Sequence, residues 1–366
     1  MALKKCSLCS KPKIVAKILG VCRECILERF TEALPYIDRA HKLTRESFSL
    51  PSSSLTEGGG ARCNLCARKC LIPEGCSGYC GLRKNTEGVI KGPHHKEAFV
   101  SWYLDPLPTN CVADWFCPGG TGCGYPQFSY KNGPEQGFYN LAVFFEGCNL
   151  NCLYCQNWHF RYSHLRSKKS SLKELLMSLN QKVACVCYFG GDPSPQAPFA
   201  IKLSKLAIEK RMDSILRICW ETNGLFSQAL LPQIIELSLI TGGIIKIDLK
   251  AWHKEIHLAL TGFGNEKILQ NFVFVAQFIS KRESVPLLTA STLLVPGYVE
   301  EEEVYNIAKF IAELNPEIPY RLLAFSPQFY MSDLPLLEKK KANEVLKLAK
   351  AAGLKIVSLG NEHLLR

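Results

Sequence analysis

The sequence predicts an α/β protein, a partial (β/α)6-type barrel preceded by a small cysteine-rich metal-binding region. Three observations carry that expectation. From Leu141 onward, short apolar runs alternate with helix-like stretches, the pattern of parallel βαβ units. Ahead of that point most of the 18 cysteines gather, several in Cys-x2-Cys pairs. Directly after the first apolar run stands Cys148-x3-Cys152-x2-Cys155.

The strands are expected at 141–146, 183–190, 214–220, 243–249, 287–295, 319–325 and 354–358, and the helices near 171–181, 198–211, 226–239, 266–282, 301–314 and 334–352. In such a barrel, functional groups collect at the C-terminal ends of the strands, which is where Cys148 falls. Composition divides the rest. Residues 1–30 read as a zinc-ribbon-like segment. Residues 31–60 read as a polar linker ending in Ser52-Ser-Ser54 and Gly58-Gly-Gly60. Residues 61–140 read as a cysteine-rich metal-binding region, and the barrel occupies 141–366.

With 47% apolar residues, the 366-residue chain can bury a large core. Its N-terminus, Met-Ala-Leu-Lys-Lys-Cys, lacks the apolar stretch of a secretory signal, and no window resembles a membrane span. A cytoplasmic protein is expected, and in a reducing compartment clustered cysteines mean metal rather than disulfides. The formal charge of +11 shrinks to roughly +6 if two four-thiolate sites carry about −2 each and a three-thiolate cluster about −1. A mildly basic surface suits an acidic electron carrier as well as RNA.

Three thiolates can hold three irons of a [4Fe–4S] cluster and leave the fourth open, whereas electron-transfer clusters take four cysteines. A structural metal site borrowing His159 is the plainer alternative. The spacing, with Tyr154 before the last cysteine, resembles that of radical S-adenosylmethionine (SAM) enzymes, and its surroundings look like their pyruvate formate-lyase activating enzyme branch. The resemblance implies a [4Fe–4S] cluster on Cys148, Cys152 and Cys155 that binds SAM. It further implies reduction by a ferredoxin or flavodoxin, and a 5′-deoxyadenosyl radical that abstracts hydrogen from a protein glycine or another C–H. It implies SAM contacts from Gly190, Gly191, Asp192 and Pro193, where Asp192 stands for the family's Glu. Glu221, Thr222, Asn223, Asp248 and Lys250 match the family's Asp-Thr-Asn-Gly and Asp-Leu-Lys motifs. By that match Glu221, Thr222 and Asp248 would cage a monovalent cation, with Lys250 supplying positive charge near SAM or substrate. His257 is expected to pack rather than react, and Asn361 to reach the site rim.

Cys63, Cys66, Cys70 and Cys80 form a second constellation suited to zinc or an auxiliary cluster, with Cys76 leaving the ligand set ambiguous. Cys6, Cys9, Cys22 and Cys25 have two-knuckle zinc spacing, and zinc would supply folding energy that so short a segment lacks. Cys111, Cys117 and Cys123 match no standard ligand pattern, while Cys185, Cys187 and Cys219 are expected to pack in the core as small hydrophobes. The competing function is a non-catalytic iron–sulfur electron carrier or a zinc or RNA-binding scaffold.

Overall fold

The alternation becomes a single eight-stranded sheet in the computed structural model, which describes residues 3–54, 57–109, 111–162, 168–212 and 214–366. In chain order its strands are β1 (Val100–Pro106), β2 (Tyr139–Phe145), β3 (Val183–Gly190), β4 (Arg217–Thr222), β5 (Ile245–Asp248), β6 (Leu288–Leu294), β7 (Tyr320–Ala324) and β8 (Val357–Gly360). They lie in that order across the sheet; β2 to β8 run parallel, and β1 pairs antiparallel with β2. The parallel strands are covered on both faces, which explains their near-continuous apolar character. Along β3, Ala184, Val186 and Tyr188 alternate with Cys185 and Cys187, and all five are buried.

The connecting helices lie close to the expected ranges: Leu172–Met177, Ala197–Lys210, Leu231–Thr241, Glu266–Ala276, Glu301–Leu314 and Lys339–Ala351. Local chemistry sets their starts. Ser171 and Glu174 form a capping box, and Glu301, Glu302 and Glu303 place negative charge on the first turn of their helix. A further helix, Lys254–Thr261, follows β5.

Two parts depart from expectation. The stretch 31–60 is not a linker throughout, because Phe30–Glu46 is a helix. Its buried Ala33, Ile37, Ala40, His41 and Thr44 recur at helical spacing beneath an otherwise polar composition. The antiparallel strand β1 was not expected; most of its residues are exposed, and its Val100, Trp102, Tyr103 and Leu104 do not alternate cleanly with polar residues.

The four-cysteine N-terminal segment packs onto the barrel. The Tyr298 hydroxyl donates to Val21 O and accepts from Ala16 N, at 2.9 and 3.0 Å. Gly297 lets Ile14 approach so closely that a Cβ there would stand 2.6 Å from Ile14 O.

Between β1 and β2 the chain makes an excursion over residues 107–138 that is tied to the inner face of the sheet. Buried Glu135 pairs with buried Arg217 of β4, whose Nη1 also donates to Phe128 O at 2.8 Å. Arg321 of β7 pairs with Asp114 and donates to Val112 O at 3.1 Å. Removing one partner of a buried ion pair strands the other charge, at a cost of about 3–5 kcal/mol. Glu135→Gln is therefore expected to lower the urea midpoint sharply, and an unchanged midpoint would show that the pair does not anchor the excursion.

Candidate active site

At the C-terminal ends of the parallel strands lies a chamber of about 420 Å³, within the size range of small-molecule sites. Cys148, Cys152 and Cys155 all face it, together with Tyr154, Gly190, Gly191, Asp192, Glu221, Thr222, Asn223, Asp248, Lys250 and Asn361. Almost every residue singled out by the triad and strand-end motifs thus meets at one place. Pro193 does not line it, and His159 does not either, stacking instead on Trp158 at 3.8 Å.

The cysteine loop sits on backbone. Gly191 N donates to Phe145 O and Asp192 N to Gly147 O, at 2.8 and 3.0 Å. A Cβ on Gly191 would stand 2.3 Å from Gly147 O, and one on Gly190, at φ +114°, 2.6 Å from Phe145 N. These glycines are needed first for strand-end packing beneath the cysteine loop, and they also line the chamber. From the other side, Asn151 Nδ2 donates to His41 Nδ1 and Thr44 Oγ1, at 2.8 and 2.9 Å, and Asn151 Oδ1 accepts from Arg161 Nη1 at 2.8 Å. Burial lowers the His41 pKa to about 4, so the ring is neutral, and its Nε2–H faces the Leu258 and Ala259 carbonyls. Tyr330 N donates to Leu153 O at 3.1 Å, which gives the Phe325–Tyr330 segment its place.

The Asp192 carboxylate is buried and turned into the fold. It accepts from Asn223 N at 2.7 Å, from Ser194 N at 2.8 Å and from Thr222 Oγ1 at 3.1 Å. Burial raises its pKa, and these donors partly oppose the rise. Asn223 Nδ2 bonds Asn149 Oδ1 at 2.7 Å and lies 3.7 Å from Cys148 Sγ.

The three residues expected to cage a cation, Glu221, Thr222 and Asp248, all line the chamber. Thr222 donates its hydroxyl to Asp192 at 3.1 Å. Glu221 and Asp248 share the Lys246 ammonium, at 3.2 and 3.3 Å. Asp248 also meets Lys250 at 2.9 Å and accepts from Ser291 Oγ at 2.6 Å. Burial would raise the Asp248 pKa, but the two ammonium groups win and hold it well below the usual range. Lys246, Arg161 and Arg321 were missed; only Lys246 left a trace, two residues from Asp248 on the same strand face.

His257 is buried, with its Nδ1 2.6 Å from Phe263 O, and does not line the chamber; it packs, as expected.

The chamber has the donors and the vacant partners that a cofactor needs. Burial raises the pKa values of its three cysteines, Cys152 to about 11, so without metal they hold their protons. The Tyr154 hydroxyl and Arg321 Nε line the chamber, are buried, and have no hydrogen-bond partner among the described residues.

The other cysteines fall into three places. Cys6, Cys9, Cys22 and Cys25 bring their sulfurs within 4.8 Å of one another, with Cys6–Cys25 at 3.7 Å and Cys9–Cys22 at 3.9 Å. Four sulfurs around a tetrahedral zinc at 2.3 Å stand about 3.8 Å apart, so this set fits a single zinc ion. Cys63, Cys66, Cys70 and Cys80 line a separate small cavity bordered by Asn149 and Pro195, while Cys76 is exposed and outside it. No three of these four meet the 4.8 Å spacing. Cys111, Cys117, Cys185, Cys187 and Cys219 line a third cavity inside the barrel. Cys185 and Cys187 are buried in the core, as expected, and with half-buried Cys219 they also border this cavity. Cys123 lies outside it, its thiol 3.0 Å from Phe116 O.

Residues 142–311 match the family model of the radical SAM superfamily. A putative glycyl-radical enzyme activating enzyme of Methanocaldococcus jannaschii is 30% identical over 217 residues, 58% of this chain and 76% of that protein. The chain belongs to the radical SAM superfamily. An uncharacterized protein of the same organism is 24% identical over 306 residues, 82% of this chain and 81% of its own length. The pyruvate formate-lyase 1-activating enzyme of Escherichia coli is 25% identical over 192 residues, 50% of this chain and 73% of that enzyme. A crystal structure of a domain of pyruvate formate-lyase-activating enzyme from Bacteroides vulgatus aligns with a TM-score of 0.40 at 20% identity, over 48% of this chain and 98% of that domain. As a member of this superfamily, of the activase-like type, the protein is an enzyme. No described helix is long and apolar enough to cross a membrane.

The glycine contact offers a direct test of how the cysteine loop is held. Gly191→Ala must push Gly147 aside, and overpacking of this kind costs about 1–3 kcal/mol. Its stability, read by denaturation, and its iron content after anaerobic reconstitution should both fall. Wild-type values for both would show that the close approach is not needed.

Proposed function

We propose that this protein cleaves SAM reductively at a [4Fe–4S] cluster held by Cys148, Cys152 and Cys155, and that it is activase-like, abstracting hydrogen from a protein glycine or another C–H. The carrying observation is that three thiols on one loop share a chamber with the strand-end motifs and with buried polar atoms awaiting a partner. Bound there, cluster and SAM supply the reducing electron and the 5′-deoxyadenosyl radical.

The chain's own groups prepare the site. Lys250, held by Asp248, offers a positive charge for a carboxylate. Lys246 sets a second positive charge between Glu221 and Asp248. Tyr154 offers its hydroxyl, and Gly190 and Gly191 leave backbone open to a ligand. Arg161 is close enough to Cys152 and Cys155 to favour their thiolates, whose formation on cluster assembly releases protons.

Cys6, Cys9, Cys22 and Cys25 would hold structural zinc. The wider quartet Cys63, Cys66, Cys70 and Cys80 suits an auxiliary cluster better than zinc. A cluster interposes its own iron and sulfide between the thiolates and spaces them further apart. Its wall includes Asn149, the neighbour of Cys148, so electrons from a ferredoxin or flavodoxin in a reducing cytoplasm would have a short route inward.

Replacing Cys148, Cys152 and Cys155 together by Ala should abolish 5′-deoxyadenosine formation from SAM under dithionite while zinc stays bound. Cleavage that survives would refute the assignment. Lys250→Ala should weaken SAM binding at least about tenfold, the equivalent of 1.4 kcal/mol, as read by equilibrium binding to the reconstituted protein. Unchanged affinity would remove Lys250 from the SAM site. Replacing Cys6 and Cys22 by Ala should release zinc and leave most of the cleavage activity; zinc retained at the parent level would place the ion elsewhere.

A further inference from the structure

Outside the ribbon set, the Cys63 quartet and the triad, seven cysteines remain. Five of them line a single internal cavity: Cys111 and Cys117 from the excursion, Cys185 and Cys187 from β3, and Cys219 from β4. Their sequence separations give no hint of this meeting. Cores pack to the density of organic crystals and leave few voids larger than a water molecule. This void measures about 50 Å³, several times the minimum of roughly 10–15 Å³ that one water needs.

We infer that Cys111, Cys117, Cys187 and Cys219 hold a further iron–sulfur cluster in the barrel interior, beside the reaction chamber. Four thiolates form a closed ligand set of the kind that holds [2Fe–2S] and [4Fe–4S] clusters. No three of these sulfurs meet the 4.8 Å spacing that the ribbon set achieves, so they do not fit a lone zinc ion as the ribbon set does. The two excursion sulfurs carry backbone donors, Ala113 N to Cys111 at 3.4 Å and Gly120 N to Cys117 at 3.3 Å. Leu150 N donates in the same way to Cys148 at 3.4 Å in the triad. Such N–H donors stabilise thiolate ligands. Arg217 and Lys246 also line the cavity, paired with Glu135 and with Glu221 and Asp248. The Cys111 thiol donates to Glu221 at 3.0 Å, a bond that cluster binding would replace. Cys185 is the spare: its thiol lies 3.3 Å from Asn140 Oδ1.

The place of this site gives it consequence. Cys111, Glu221 and Lys246 line both this cavity and the chamber, so a cluster here would be separated from bound substrate by little more than a side chain. The inference does not depend on SAM chemistry at the triad, and its test can be run with the triad removed.

The test uses the full chain, purified and reconstituted without oxygen, in two backgrounds: the parent protein and the Cys148→Ala/Cys152→Ala/Cys155→Ala variant. In both, Cys187→Ala/Cys219→Ala should lose at least about two irons per chain, with matching acid-labile sulfide, the least that a cluster on four cysteines contains. Zinc content at the parent level reports that the ribbon, and with it the fold, survives. If the double variant does not fold, Cys111→Ala on the excursion should give the same loss, and Cys185→Ala should keep its iron. Iron and sulfide equal to the parent in the folded variants, or zinc found on these cysteines in place of iron, would overturn the inference.

Discussion

The close approach of two backbones, Gly147 after β2 and Gly191 after β3, is the contact on which the rest of the site depends. It places the three-cysteine loop directly over the strand ends and leaves no room for a Cβ at Gly191. Everything around it fixes that loop from other directions. Asp192 gathers the start of the turn after β4, Asn151 ties the loop to the Phe30–Glu46 helix, and Tyr330 holds Leu153 from the C-terminal side. The loop that carries the three thiols is thus held from several sides by the fold.

Electrostatics inside the barrel follow from the same arrangement. Burying Asp248, Lys246, Lys250 and Glu221 together is tolerable because each charge meets an opposite one within 3.3 Å. Deeper in the barrel, Glu135 and Arg217 make a second closed pair that fastens the excursion where its cysteines meet those of β3 and β4.

Much of this was legible in the sequence. The parallel strands announced themselves as apolar runs buried on both faces, and the triad followed its strand as barrel geometry requires. The helix at Phe30–Glu46 was hidden by its polar composition, though Ala33, Ile37, Ala40 and Thr44 carried the helical period. Strand β1 was hidden because an exposed edge strand needs no apolar alternation. The network of His41, Asn151 and Arg161 joins residues more than a hundred positions apart, and no local spacing encodes it. That five cysteines from separate segments border one cavity was hidden for a related reason. A cysteine on a strand looks like a small hydrophobe until the fold shows what faces it.

The central claim is an open iron at Cys148, Cys152 and Cys155 to which SAM binds. Electron paramagnetic resonance of the anaerobically reconstituted, dithionite-reduced protein, recorded with and without SAM, tests it most directly. The account predicts a reduced [4Fe–4S] signal that shifts when SAM is added and is missing from the triad variant. Spectra indifferent to SAM would mean that every cluster is closed by four ligands, and the account would be contradicted.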